Sequence, residues 1–176
     1  MLNLTGLGLS LLLASSQPAP IRPATACPQD LEVLAGLLVR DLPVYTNRVL
    51  QRSVADLSKD YRPAYVIAAS LPETAPLDIL DQVYTTDPAA AAQTRQLFFT
   101  TLARQYDGLE ATLVRHFHWL FLAPDADGWY LAFMFSQIEA PGEPMMPPRD
   151  STRGSVGQGV ATWLRDCRAG AVAPRP

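Results

Sequence analysis

The stretch TLVRHFHWLFLAPDADGWYLAFMFSQI, residues 112–138, decides the fold. It holds two apolar segments, 112–122 and 129–138, whose many aromatic side chains are typical of β-strands. Between them, Pro124-Asp125-Ala126-Asp127-Gly128 has the composition of a tight turn and includes an Asp-Gly pair. We therefore predict two antiparallel strands joined as a hairpin.

Two more strands are predicted upstream, at 96–106 and at 65–69, with a short helix between them after Asp87-Pro88. Consecutive strands with short connections form an antiparallel meander, here of about four strands. Helical periodicity predicts one helix from Pro28 to about Val39, an interruption at Leu42-Pro43, and a second helix over 44–57. A last helix is predicted over 155–168. Helices, then strands, then a helix indicate an α+β fold with the N-terminal and C-terminal helices on one face of the sheet.

Both faces of the predicted hairpin are apolar. A sheet with helices on one face normally exposes polar residues on the other. The second face must therefore be covered by the N-terminal helices, by a partner chain, or by the sheet curling around a pocket. In the first strand, one face is predicted to carry Phe117, Trp119 and Phe121, and the other His116, His118, Leu120 and Leu122. In the second strand, one face is predicted to carry Trp129, Leu131, Phe133 and Phe135, and the other Tyr130, Met134 and Ile138.

Length and charge narrow the class of protein. The 176 residues fit one domain, and the formal net charge is −3. Basic residues are scattered without a patch or stripe, so neither a nucleic-acid partner nor a basic membrane-binding face is predicted.

The N-terminus is predicted to be a signal peptide. Residues 4–14 form an apolar run that is too short to span a bilayer, and small residues follow it. No Lys or Arg precedes the run, and an ordinary buried helix is the alternative. We predict a signal peptide and disordered tether over 1–26, one α+β domain over 27–172 without a transmembrane segment, and a disordered tail over 173–176.

Cys27 and Cys167 are the only cysteines. Each lies in an apolar stripe with helical spacing, one with Leu31, Leu34 and Leu38, the other with Val156, Val160 and Trp163. In an oxidising compartment such a pair is expected to form a disulfide between the first and last helices. Two alternatives remain. The cysteines could be buried free thiols, or Cys27 could be acylated as in a lipoprotein, which the sequence before it disfavours.

His116 and His118 are the only histidines. Residues two apart on a strand point to the same side, so both imidazoles could bind one metal ion, with Glu110 or Asp107 as the nearest carboxylate. The alternative is that both are hydrogen-bonded residues on a half-buried face. No further cofactor is predicted.

The polar segment 149–155, hereafter the 149–155 loop, precedes the last helix. Its two guanidinium groups and its hydroxyls at a helix N-terminus favour an anion or another ligand. The alternative is that Asp150, Ser151 or Ser155 caps the helix while an arginine pairs with a carboxylate. The candidate residues are Arg149, Asp150, Ser151, Thr152, Arg153 and Ser155.

Several segments together resemble a group of short exported proteins from cyanobacteria. The similarity covers residues 27–172 and is carried by 97–102, 116–121, 147–151 and 162–170. No activity is known for the group, so the resemblance implies only a compartment: periplasm, cell envelope or thylakoid lumen.

The function predicted from the sequence is that of an extracytoplasmic, non-enzymatic module. It would bind a small ligand or a protein partner on the apolar sheet face, because no set of catalytic residues can be assembled. A metal-dependent hydrolase that uses His116 and His118 is the alternative.

Overall fold

The structure is a computed structural model and describes residues 26–54, 64–75, 94–107, 110–139, 142 and 144–172. Five strands form one antiparallel sheet in sequence order, and a helix flanks them on each side along the chain. The predicted α+β meander is thus confirmed, with a two-residue fifth strand added. The predicted leader and the predicted helix after Asp87-Pro88 lie outside the described residues. In chain order the elements are α1 (Leu31–Val54), β1 (Ala64–Ala68), β2 (Arg95–Asp107), β3 (Glu110–Asp125), β4 (Gly128–Glu139), β5 (Arg149–Asp150) and α2 (Ser155–Arg168).

Helix α1 is continuous, so the predicted interruption at Leu42-Pro43 is wrong. Asp30 caps its start, where the carboxylate accepts a hydrogen bond of 2.9 Å from the Val33 N–H. A proline inside a helix costs about 3 kcal/mol because it removes a hydrogen bond and crowds the preceding turn. The apolar stripe of α1 continues through this point, with Leu38 and Leu42 both fully buried. Burial of such side chains, at about 2 kcal/mol each, offsets the cost of the proline.

The two helices cover one face of the sheet. They pack against each other, α1 also packs on β1, and α2 packs on β4. Asn47 joins α1 to β1 through two hydrogen bonds with the backbone of Val66, of 2.9 and 2.8 Å. The core between helices and sheet is built from Leu34, Leu38, Leu42, Leu97, Phe99, Leu120, Leu122, Trp129, Met134, Val160, Trp163 and Leu164, among others.

A β-bulge in β4 corrects the predicted face assignment of that strand. Phe121 pairs with Phe133, but Leu122 pairs with Leu131, so Ala132 is an extra residue in β4. The bulge reverses the alternation of side chains. Trp129 and Leu131 therefore lie on the helix side with the core, not with Phe133 and Phe135 as predicted.

The predicted disulfide joins Cys27 to Cys167, with their Cα atoms 5.1 Å apart. Cys167 lies in the last turn of α2, whereas Cys27 precedes α1 rather than lying on it. The Trp129 indole N–H donates to the Pro28 carbonyl and so fixes the same segment to β4. This end of the helix pair is closed covalently and by hydrogen bonding. Neither described helix has the length and apolarity needed to cross a bilayer.

Gly159 of α2 lies where the two helices approach each other closely. A Cβ atom there would lie 2.8 Å from the Thr46 hydroxyl and 3.1 Å from the Thr46 backbone nitrogen. Gly157, two residues earlier, instead approaches the carbonyls of Ser151 and Thr152.

Candidate functional site

A cavity of about 320 Å³ lies between the sheet and the helices. Strands β1 to β4 form one wall, and α1 and the N-terminal end of α2 form the other. Among the described residues that line this space, none carries a charge. We call it the histidine cavity; its described lining is Leu50, Val66, Ala103, Gln105, His116, His118, Met134, Ser136, Ile138, Ser151, Gly154, Ser155 and Val156.

The histidine cavity brings together two groups that the sequence suggested separately. Strand alternation places His116 and His118 on the same side, as predicted, and this side faces the helices. Antiparallel pairing places Ser136 of β4 directly beside His118. The 149–155 loop then crosses the edge of β4, where the Ser151 N–H donates to the Met134 carbonyl at 2.8 Å. Histidines and loop hydroxyls therefore meet at one site.

His118 is the centre of a chain of polar side chains. Its Nε2 lies 2.9 Å from the Thr101 hydroxyl and its Nδ1 lies 2.7 Å from the Ser136 hydroxyl. The Ser136 hydroxyl is in turn 2.6 Å from that of Ser151. Every polar atom of the His118 ring thus has a partner, as a side chain only 1% exposed requires.

One direction of donation satisfies every hydroxyl hydrogen in this chain. Thr101 donates to Nε2 of His118, Nδ1–H donates to Ser136, Ser136 donates to Ser151, and Ser151 completes the chain at the Met134 carbonyl, 3.4 Å away. The opposite direction leaves the buried Thr101 hydroxyl without an acceptor among the described residues. An unsatisfied buried donor is costly, so we assign the Nδ1–H tautomer to His118.

Burial and, to a smaller extent, the nearby His116 together lower the pKa of His118 to about 3. The imidazole is therefore neutral at ordinary pH. A general base works best when its pKa is near the operating pH, so His118 is a poor base. The side chain bonded to Nε2 of His118 is that of Thr101 rather than a carboxylate. The chain from Ser151 to Thr101 holds the loop on the sheet but lacks the acid of a nucleophilic triad.

His116 differs from His118 because its Nε2 has no hydrogen-bond partner in the described part of the chain, although that atom is buried. The two rings lie 6.0 Å apart between centroids. Burial lowers the pKa of His116, so it too is neutral at ordinary pH. A buried nitrogen without a partner costs free energy.

The residues do not fit a metal ion well. Both nitrogens of His118 are occupied by hydroxyls, so it has no lone pair free to bind a metal. Asp107 and Glu110 are backbone partners at the ends of β2 and β3, and Glu110 is six residues, or about 20 Å of strand, from His116. The described ranges contain no group of three or more His, Cys, Asp or Glu residues that could hold a metal ion.

The structure divides the 149–155 loop between the cavity and the surface. Ser151 and Ser155 line the cavity, while Arg149, Asp150 and Arg153 are exposed. The Thr152 N–H donates to the Asp150 carboxylate at 2.8 Å, which lowers the pKa of Asp150. The Thr152 hydroxyl accepts a hydrogen bond from the Met134 N–H at 2.9 Å.

No side chain caps α2, so the predicted capping role of Asp150, Ser151 or Ser155 is wrong. The capping position is Gly154, whose backbone N–H donates to the Ser151 carbonyl at 2.8 Å. Neither Ser151 nor Ser155 therefore uses its hydroxyl to cap the helix. Their hydroxyls are available to the cavity, where Ser151 bonds Ser136.

The sequence did not identify Thr101 and Ser136 as members of the site. Both are small polar residues at inward-facing positions, Thr101 between Phe99 and Ala103 and Ser136 between Met134 and Ile138. A polar residue in an inward series of apolar ones is the signal that could have found them. It would not have paired them with His118, because that depends on the register of three strands.

The opposite face of the sheet is strongly aromatic, and we call it the aromatic face. Rings from neighbouring strands stack there, with centroids 4.4 Å apart for Phe121–Phe133 and 5.3 Å for Phe98–Trp119. The Trp119 indole N–H is buried and has no partner within the described ranges. The aromatic face consists of Phe98, Phe117, Trp119, Phe121, Phe133 and Phe135.

Comparison with known proteins gives no family for this chain: no protein-family model, curated protein or solved structure matches it. The histidine cavity and the aromatic face are therefore the two features from which a function can be inferred.

Proposed function

We propose that this protein is an exported, non-enzymatic binding protein whose small-molecule ligand occupies the histidine cavity. The observation that carries the proposal is the cavity itself, a largely apolar space whose few polar lining groups include Gln105, Ser151 and Ser155. A pocket with apolar walls and a few converging polar groups is the usual form of a ligand site. Its volume of about 320 Å³ falls at the small end of the range for such sites.

Export is supported by the disulfide together with the apolar run at residues 4–14. Disulfides persist in oxidising compartments and are rare in the cytosol. The resemblance to exported cyanobacterial proteins favours the periplasm, the cell envelope or the thylakoid lumen.

The absence of catalytic function is supported by the state of His118. A neutral imidazole that already bonds two hydroxyls has no task as a base or as a metal ligand. A metal-dependent hydrolase would need His118 to exchange both partners. Elemental analysis of the purified protein tests this alternative, since one equivalent of zinc, iron or copper lost in His116→Ala would support the hydrolase.

A thermal-shift screen of small molecules against the oxidised protein tests ligand binding. A ligand at a hundred times its Kd adds about 2.7 kcal/mol to the free energy of unfolding, which is expected to raise Tm by roughly 5–10 °C. Ala103→Leu fills part of the cavity and should reduce the shift, as should Ile138→Trp at its more exposed wall. Arg153→Ala, outside the cavity, is the control. The proposal is wrong if no compound gives a shift that the two cavity variants reduce.

A protein partner on the aromatic face is the second candidate function. It is favoured by the stacked rings of this face, five of which are partly exposed. Light scattering of the wild type and of Phe133→Asp tests whether this face binds a second copy. An assembly larger than a monomer that dissociates in the variant would support this function.

A further inference from the structure

We infer that a surface cleft between the two helices binds the phosphate group of a small, soluble phosphate monoester. Arg48 and Arg52 of α1 and Arg165 of α2 line this cleft, and we call it the arginine cleft. Its described lining comes only from the helices and shares no residue with the histidine cavity, so it is a second, separate site. Three features lead to the inference: the charge of the cleft, the state of its guanidinium groups and its size.

The first feature is a concentration of positive charge in an acidic protein. Three guanidinium groups and one carboxylate give the described lining a net charge of +2, whereas the whole chain carries −3. The sequence shows no cluster of basic residues, and it is the packing of α1 against α2 that brings Arg165 beside Arg48 and Arg52. A local positive charge attracts anions, and a phosphate monoester carries nearly two negative charges at pH 7.

The carboxylate in the cleft, that of Asp166, already has partners on both oxygens. Its Oδ1 accepts hydrogen bonds from Nε and Nη2 of Arg165 at 3.1 and 2.9 Å. Its Oδ2 accepts one from the Tyr45 hydroxyl at 3.1 Å. Neither Arg48 nor Arg52 forms an ion pair with a carboxylate in the described part of the chain. The charges of these two arginines are therefore available to an anion.

The second feature is that the guanidinium groups are held in place by contacts that use few of their N–H donors. Nε of Arg52 donates to the Arg48 carbonyl at 3.2 Å, and the guanidinium carbon of Arg48 lies 5.9 Å from the centre of the Tyr45 ring. Because each guanidinium group has five N–H donors, most remain for a ligand. Groups that are already ordered lose less entropy on binding. Like charges four residues apart on a helix also repel, and a bound dianion would relieve that repulsion.

The third feature is size. Since each water molecule occupies about 30 Å³ of liquid, a volume of about 430 Å³ holds roughly fourteen waters, more than a bare phosphate ion requires. The Gln51 amide and the Thr162 hydroxyl also line this space. The Thr162 hydroxyl donates to the Gln158 carbonyl and can still accept a hydrogen bond. A phosphate monoester with a small hydroxylated remainder therefore matches the cleft better than phosphate alone.

Glycerol 3-phosphate and glycerol are matched probes, because they differ only in the phosphate group. Isothermal titration calorimetry of the oxidised protein at pH 7.5 and low salt should show glycerol 3-phosphate binding with a Kd of about 0.1–1 mM, since exposed ion pairs are individually weak. Glycerol should give no binding. Raising NaCl to about 0.5 M should weaken glycerol 3-phosphate binding several-fold, because salt screens exposed charges.

The double variant Arg48→Gln/Arg52→Gln should weaken glycerol 3-phosphate binding about tenfold. Both side chains are exposed and glutamine is a good helix former, so the urea midpoint should change little. The matched control is Arg149→Gln/Arg153→Gln, which removes the same charge from the exposed part of the 149–155 loop. This control should retain the affinity of the wild type.

Absence of glycerol 3-phosphate binding at about ten times the upper expected Kd would overturn the inference. Equal weakening by the two double variants would contradict it as well, because binding would then follow net charge rather than the arginine cleft. Co-sedimentation with vesicles that contain phosphatidic acid, without binding of glycerol 3-phosphate, would replace the soluble ligand by a lipid headgroup. None of these outcomes decides the proposed function, since Ala103→Leu and the thermal-shift screen test the histidine cavity separately.

Discussion

His118 makes the stability of the fold sensitive to acid. Its pKa is about 3 in the folded protein and close to 6.5 in the unfolded chain. Between these values the unfolded chain binds a proton that the folded protein does not, so the free energy of unfolding falls as pH decreases from about 6.5 toward 3. The full loss is on the order of 4–5 kcal/mol.

Urea denaturation of the wild type and of His118→Gln at pH 7.5, 5.5 and 4 measures this contribution. The variant keeps an amide that can bond Thr101 and Ser136 but cannot be protonated. It is expected to be less stable at pH 7.5 and to lose less stability on acidification, because the side chain at position 118 no longer binds a proton. Equal losses of stability in the two proteins between pH 7.5 and 4 would show that His118 is not held neutral.

At the scale of single residues, the sequence predicted which face of the strand carries His116 and His118. It did not predict how different the hydrogen bonding of the two rings is. Both occupy equivalent positions in the alternation, two residues apart. His118 gains partners from β2 and from β4, whereas Nε2 of His116 gains none in the described chain. That difference arises from the register of neighbouring strands, which no local pattern in the sequence encodes.

At the scale of elements, two glycines in helices are expected to respond oppositely to alanine. In Gly159→Ala the added methyl would lie 2.8 Å from the Thr46 hydroxyl, so the helices must separate. We expect a loss of about 1–3 kcal/mol despite the better helix propensity of alanine. In Gly36→Ala nothing lies within 4 Å of the added methyl, so a gain of up to about 1 kcal/mol is expected.

Urea unfolding midpoints of these two variants and the wild type test the contrast. Both substitutions make the same chemical change inside a helix, so Gly36→Ala controls for propensity alone. If Gly159→Ala were stabilised as much as Gly36→Ala, the close crossing of α1 and α2 would be wrong.

Elements with strong local signals were predicted well, and those decided by packing were not. The hairpin of β3 and β4 and the span of α2 follow from the Asp-Gly turn and the helical stripe. The continuity of α1 through Pro43 depends on the burial of Leu38 and Leu42 against the rest of the fold. The bulge at Ala132 is likewise set by pairing with β3, and it moves Trp129 and Leu131 into the core.

For the molecule as a whole, the disulfide is expected to contribute a large part of the stability. Cys27 and Cys167 are 140 residues apart, and the chain-entropy description gives about 5 kcal/mol as an upper figure for a loop of that length. Urea denaturation of the double variant Cys27→Ala/Cys167→Ala should show a loss of several kcal/mol. The wild type treated with dithiothreitol should approach the variant.

Mass spectrometry of the untreated wild type provides the control, since the bridged protein lacks two hydrogens and has no thiol that reacts with iodoacetamide. Equal stability of the oxidised wild type and the double variant would mean that packing alone holds the two ends.

The histidine cavity adjoins the N-terminal end of α2, away from the disulfide at its C-terminal end. Ligand binding at that distance is expected to survive removal of the bridge wherever the variant remains folded.

The separation of the two cysteines also has a consequence for biogenesis. Cys27 precedes every described helix and strand, and its partner lies in the last turn of the last helix. A chain that emerges N-terminus first therefore presents an unpaired Cys27 thiol while the whole sheet is still being delivered. Until Cys167 follows, that thiol can form mixed disulfides with oxidoreductases or with a second nascent chain. The Cys27–Cys167 bridge itself can therefore form only after all the described strands have been delivered.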